Sequence, residues 1–235
     1  MGQQFSQKSK RNIGLKATHY FRTRIAPLVM TLVIMVGQTW IAYMINLDFI
    51  WILPIASGVL LISSILAYSI SHAHPSKAAR ALSVAVAVLL TFINLVCIGW
   101  FVYDMLNPET VTVSHELLLS GFALWIVNIG VFSLAYWELD TEGPDTRALG
   151  LPEVLRNNIY PDFVFEQYTT CNPHLSPENW TPGFLDYLYL SITTATSFAP
   201  SAPTPSTSMA KMMAGAEALI SLFTLGLIIA RAMSL

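Results

Sequence analysis

The chain has 235 residues, of which 54% are hydrophobic and only 11% charged, with a formal net charge of −2. Soluble domains carry about 25% charged residues, so this chain has too little charge to cover a surface that faces water all round. It also holds no phosphate loop, no nucleophile–base constellation and no basic patch suited to nucleic acid.

Residues 1–24 form a basic, polar N-terminal segment with Lys8, Lys10, Arg11, Lys16, Arg22 and Arg24. The opening Met1-Gly2-Gln3-Gln4-Phe5-Ser6 fits the loose myristoylation pattern, a match too short to outweigh chance. Four stretches then run without a charge, 25–47, 49–76, 81–103 and 117–137, and a fifth, 212–230, is broken only by Glu217. A membrane-crossing helix needs about 20 apolar residues at about 1.5 Å each. In lipid the backbone must also satisfy its own hydrogen bonds, which selects helix over open strand. A soluble helical bundle would show one apolar stripe per helix, whereas TLVIMVGQTWIAYMI is apolar nearly all round. The expected fold is therefore all-α and integral to the membrane. It has about five transmembrane helices, at 25–46, 50–72, 80–104, 115–137 and 209–231, with 25–137 forming a four-helix membrane domain. The first stretch is too long for a signal-peptide core and is expected to remain.

The connections between the first four spans are short. His72 and His74 sit in one of them, where a solvated basic turn outweighs a metal site. Cys97 lies inside the third stretch and Cys171 in a loop, so no disulfide is implied. Residues 138–182 form a polar, acidic segment rich in Gly and Pro, expected as solvated loop with one short helix near 152–158. Asn179-Trp180-Thr181 fits a glycosylation acceptor, which matters only in a secretory host. Trp180, Tyr187 and Tyr189 are expected as interfacial anchors.

Residues 183–235 then carry the motif. The stretch 183–208 is GFLDYLYLSITTATSFAPSAPTPSTS. Its first half is apolar and helix-compatible but, at about a dozen residues, too short to span a bilayer. Its second half carries Pro200, Pro203 and Pro205 and cannot be helical. Irregular backbone at membrane depth is tolerated only where protein buries it or it lines a water-filled cavity. A short helix, an irregular loop and a full span in succession read as a re-entrant pore helix and loop before the last helix.

The segment from Ser191 through Ser201-Ala202, S-I-T-T-A-T-S-F-A-P-S-A, resembles the potassium-channel pore signature of the type S-V-E-T-A-T-T-V-G-Y-G-D. The register continues without a gap: Pro205 and Thr207 fall on a Pro and a Thr of that family, Lys211 on the basic residue opening its inner helix, and Gly226 on a glycine of that helix. The likeness covers about 45 residues, and the wider sequence is similar to uncharacterised bacterial membrane proteins with a channel-like C-terminus. The resemblance implies a pore and filter at Thr194, Thr196, Ser197, Phe198, Ala199, Pro200 and Ser201, and inner-helix lining by Leu222, Leu225 and Ile229. Plain packing or lipid contact explains those three equally well. It also implies a homotetramer in the lipid bilayer of a cell membrane, passing monovalent ions or another small polar solute; the residues themselves offer no convergent catalytic set, so no enzymatic activity, cofactor, metal or nucleic-acid partner is expected.

The departures matter as much. Filter carbonyls in that family replace the ion's hydration shell through glycines at angles other residues avoid. Both glycines are gone here, and Pro200 pushes Ala199 toward extended angles. A pore lined by hydroxyls, not strictly K⁺-selective, is the expectation; a non-conducting pore-like protein with a structural or regulatory role is the alternative. The hinge glycine of the family falls on Ser221. Its carboxylate behind the filter falls on Thr193, and Glu217 is expected to replace it as filter support, bonded to Thr193, Thr194 or Ser197.

Basic residues favour the cytoplasmic side, which places residues 1–24 and Lys77/Arg80 inside. Four crossings put 138–182 inside too, so the loop would enter from the cytoplasm. That is the reverse of potassium channels and the arrangement of ionotropic glutamate receptors. Either the loop is inverted or one of the first four segments does not cross.

Overall fold

The computed structural model describes residues 24–44, 55–59, 61–62, 77–106, 114–170, 180–197 and 203–233. Most of the expected span 50–72 lies outside them, as do His72, His74, Cys171, Phe198, Ala199, Pro200 and Ser201. The chain is predominantly helical, and among the described residues four helices are long and apolar enough to cross a membrane. They are α1 (Arg24–Met44), α2 (Lys77–Leu106), α3 (Ser114–Leu139) and, last in the chain, α8 (Ser208–Met233). These are the marks of a multi-pass membrane protein.

The segment 138–182 is not the solvated loop with one short helix that its composition suggested. α3 runs on to Leu139, a 3-10 turn follows at Asp140–Glu142, and short helices α4 (Pro144–Arg147), α5 (Leu151–Arg156) and α6 (Glu166–Thr169) succeed one another. Between them β1 (Phe163–Val164) pairs antiparallel with β2 (Thr204–Pro205), Phe163 opposite Pro205. Asp140 and Arg147 are buried. Glu142, Arg156 and Glu166 do face water, as charge predicts, but Asp140 and Arg147 turn inward. The remaining element is α7, the short helix Phe184–Thr196.

α3 is the central helix: 67% of its apolar window is buried, against 17% for α8. It packs against α2, α7 and α8, and glycine lets α1 approach. A Cβ at Gly37 would stand 2.8 Å from Val127 Cγ2, and one at Gly130 would stand 3.0 Å from Ile34 Cγ1. Lipid tails give no hydrophobic drive between helices, so close packing over small residues and interhelical hydrogen bonds hold them together. The polar contacts are specific: Gln38 Nε2 donates to the Leu90 carbonyl at 2.9 Å. Asn94 Nδ2 donates to Asn128 Oδ1 at 2.8 Å, and Asn128 Nδ2 to Ser221 Oγ at 3.0 Å. These bonds tie α1 to α2 and α2 to α3 to α8.

Ion pairs set the relative directions. Arg24, at the start of α1, bonds Asp145 at 2.6 Å, and Arg80, in the first turn of α2, approaches Glu142 at 3.8 Å. The starts of α1 and α2 therefore share one end of the bundle with the end of α3.

Gly130→Val should drive a branched side chain into Ile34 and Met30, lowering resistance to SDS-induced unfolding by about 1–3 kcal/mol. Gly99→Val, with nothing within 4 Å of its Cβ position, should leave the midpoint unchanged.

Candidate functional site

The helix carrying the motif, α7, is held at two levels by two buried carboxyl groups. The outer level centres on Asp140, which is fully buried. Its Oδ1 accepts from Thr141 Oγ1 at 2.9 Å and from the amides of Asp162 and Phe163 at 2.8 and 3.3 Å. Its Oδ2 accepts from the Tyr187 hydroxyl. Thr141 and Glu142 take left-handed backbone angles, φ 53° and 58°, and this sharp reversal after α3 aims Asp140 inward. Asp162 extends the cluster, with Oδ2 accepting from the Thr141 amide at 3.1 Å and Oδ1 from Thr207 Oγ1 at 2.6 Å. Its carbonyl accepts from the Ser206 amide at 2.8 Å.

Arg147 closes this level from α4. It is only 3% exposed, and its guanidinium donates to the carbonyls of Asp140 at 2.5 Å and Trp137 at 2.7 Å. These carbonyls lie at and just past the C-terminal end of α3, where intrahelical donors run out, and that of Asp140 also accepts from the Gly143 amide at 2.9 Å. The guanidinium carbon also lies 4.5 Å from the Trp137 ring centre and 4.9 Å from that of Tyr187, within cation–π range. Tyr187 packs edge-on against Trp137, Phe163 and Phe165, so it is a core residue and not the interfacial anchor expected. Trp180 packs on Phe165 and Tyr168, while Tyr189 is exposed. Burial, and then the nearby Asp140, pushes the Tyr168 phenol above its usual range.

The inner level centres on Glu217 of α8, also fully buried. The Tyr136 hydroxyl donates to Oε2, and Ser191 Oγ contacts Oε1. Ser191 also lies 2.8 Å from the Ile129 carbonyl. Glu217 thus bridges α3, α7 and α8, but not through the partners expected. Thr193 and Thr194 both return their hydroxyls to the Leu190 carbonyl at 2.8 Å, and Thr196 bonds Ile192 O at 2.7 Å. Threonine in a helix bonds back this way by default. Ser191, two and three residues nearer the start of α7 than Thr193 and Thr194, is the hydroxyl that Glu217 reaches.

α7 starts at Gly183, whose amide is accepted by Asp186 Oδ2 at 2.7 Å. Burial pushes the Asp186 carboxyl up, and the Gly183 amide pulls it back down. The helix ends at Ser197 in the left-handed conformation, φ 57°, its amide bonded to the Thr194 carbonyl at 3.2 Å. Of the expected lining residues, Leu222 and Ile229 are exposed, at 64% and 53%, and Leu225 is half-buried. The buried face of α8 is Ala210, Glu217, Ser221 and Thr224, so Leu222 and Ile229 point away from the rest of the chain.

Tyr136, Asp140, Arg147, Asn94 and Asn128 escaped the sequence reading as site residues. The two asparagines left a signal, being single amides inside long apolar runs, where uncompensated polarity is costly. Arg147, nearly alone among the acids of 138–182, left another. Comparison of the chain with protein-family models, with curated proteins and with solved structures finds no match.

Arg147→Met should remove two charge-assisted hydrogen bonds at the end of α3 and lower stability toward SDS by about 3 kcal/mol. Arg147→Lys should recover only part of that, because an ammonium cannot serve both carbonyls and stack on two rings. Leu149→Ser, at an exposed site, should be neutral.

Proposed function

We propose that this chain is one subunit of a homotetrameric, channel-like pore in a cell membrane, for which a bacterial inner membrane is the natural setting. Residues 183–235 would supply a re-entrant pore helix, its loop and the inner helix. One observation carries the reading: the segment leaves and rejoins the same cluster. Tyr187, in the first turn of α7, bonds Asp140, and Thr207, just before α8, bonds Asp162, whose amide in turn bonds Asp140. Between those two points lie the remainder of a 13-residue helix and a proline-rich return. At about 1.5 Å per residue such a helix reaches about 20 Å, short of the roughly 30 Å hydrocarbon core.

In this reading α7 enters the bilayer from the end where α1 and α2 begin. The basic N-terminal segment places that end in the cytoplasm, so the loop is inverted relative to potassium channels, and of the two topologies left open above the inverted loop is preferred. The filter would comprise Thr194, Thr196, Ser197, Phe198, Ala199, Pro200 and Ser201. Without glycines it would present hydroxyls to partly hydrated monovalent ions or small polar solutes, with weak selection. Thr193 and Glu217 would support it from behind. Leu222 and Ile229, with Leu225 beside them, would line the inner cavity, since α8 turns its polar face to its own subunit and leaves an apolar face free.

Light scattering of the detergent-purified protein should give four chain masses, and proteoliposomes should pass K⁺ or Na⁺ above empty vesicles. A monomer or dimer excludes an axial pore. A tetramer without flux for K⁺, Na⁺ or Cl⁻ assigns the non-conducting, structural or regulatory role instead.

A further inference from the structure

We infer that Glu217 is a proton-binding site: its carboxyl group carries a hydrogen that it donates to Ser191, and this proton fastens α7 to α8. The inference rests on hydrogen-bond accounting. A serine hydroxyl owns one proton, but Ser191 Oγ lies in hydrogen-bonding contact with two acceptors, Glu217 Oε1 and the Ile129 carbonyl. Were the carboxyl ionised, one of those contacts would be two oxygen lone pairs face to face. With the proton on Oε1, the chain closes in one direction. Oε1–H donates to Ser191, Ser191 donates to Ile129, and Tyr136 donates to Oε2.

Asp140 is the internal contrast. Four donors converge on it, two hydroxyls and two backbone amides, and each of those contacts already contains a hydrogen. None needs a proton from the carboxyl. Glu217 receives one unambiguous donor. The groups that face it are the Tyr136 phenol from α3 and the Ser191 hydroxyl from α7, with Ala210, Ser221 and Thr224 sharing its own helix face. Among the described residues no Lys, Arg or His pairs with it. A carboxylate at this depth without a cation would carry the full cost of an unpaired charge in a membrane. Held neutral, the same group joins three helices. Loss of the proton would leave a charge at the joint between α7 and α8, draw water to it and loosen the grip on α7. The site does not depend on whether the protein conducts.

The test is infrared spectroscopy of the protein in lipid nanodiscs at neutral pH, with glutamate side-chain carboxyls labelled by carbon-13. A protonated-carboxyl C=O band that moves with the isotope, disappears in E217Q, and shifts in S191A and in Y136F supports the assignment. E217Q should keep the wild-type thermal midpoint, because its amide can donate to Ser191 and accept from Tyr136, while E217A should lower it. Absence of the band from the wild-type protein overturns the proposal. So does a band that persists unchanged in S191A and Y136F, which tests the assignment even if E217Q fails to fold. An E217Q protein as unstable as E217A overturns it too. None of these readouts involves ion flux, so failure of the pore reading and failure of the proton site are separable.

Discussion

A buried carboxylate must fill its lone pairs from whatever the chain can bring to it, and Asp140 fills them from three separate stretches of sequence. Thr141 is its neighbour, the Asp162 amide comes from 22 residues on, and the Tyr187 hydroxyl from 47 residues on. Asp162 then holds Thr207, a further 45 residues along. These bonds place the end of α3, the start of α7 and the start of α8 beside one another. The strand pair Phe163–Val164 with Thr204–Pro205 and the guanidinium of Arg147 complete the same clamp. The geometry that makes a re-entrant reading attractive is thus a consequence of satisfying one acid.

Below that clamp the problem changes from anchoring to depth. α8 carries a polar stripe of Glu217, Ser221 and Thr224, and every one of these is buried against the rest of the chain. Its opposite face, with Leu219, Leu222, Phe223 and Ile229, is exposed. A helix with one face buried at 17% of its apolar window leaves the rest for lipid, for sister subunits or for a pore. Polar groups facing inward are the economical choice in lipid, because an unsatisfied group there costs several kcal/mol. The apolar outer face leaves a proposed cavity wall of leucine and isoleucine, with selection confined to the loop above it.

The membrane helices were legible because their cause is local. A run of about 20 apolar residues nearly without charge has few other fates, and the ends of α1, α2, α3 and α8 fall within four residues of the stretches that announced them. The limits of α7 were legible for the same reason, between Gly183 and the prolines. The clamp was not. Asp140, Asp162 and Arg147 look in sequence like a solvated acidic loop, and only pairing across tens of residues makes them interior. Glu217 was visible as an oddity inside a span, but its partners were not. The resemblance to pore signatures pointed to threonines near the filter, whereas helical threonines satisfy their hydroxyls on their own backbone, leaving Ser191 and Tyr136 to meet the acid.

The central claim is that the chain after α7 turns back inside the bilayer, sheltered by sister subunits, before rejoining the Asp140 clamp. The most direct measurement is an electron cryomicroscopy map of the assembled protein in lipid nanodiscs. The account predicts four copies around one axis, with Ser197 of each near that axis and within the lipid slab. A map in which Ser197 stands in the aqueous phase, or faces lipid far from any shared axis, would contradict it.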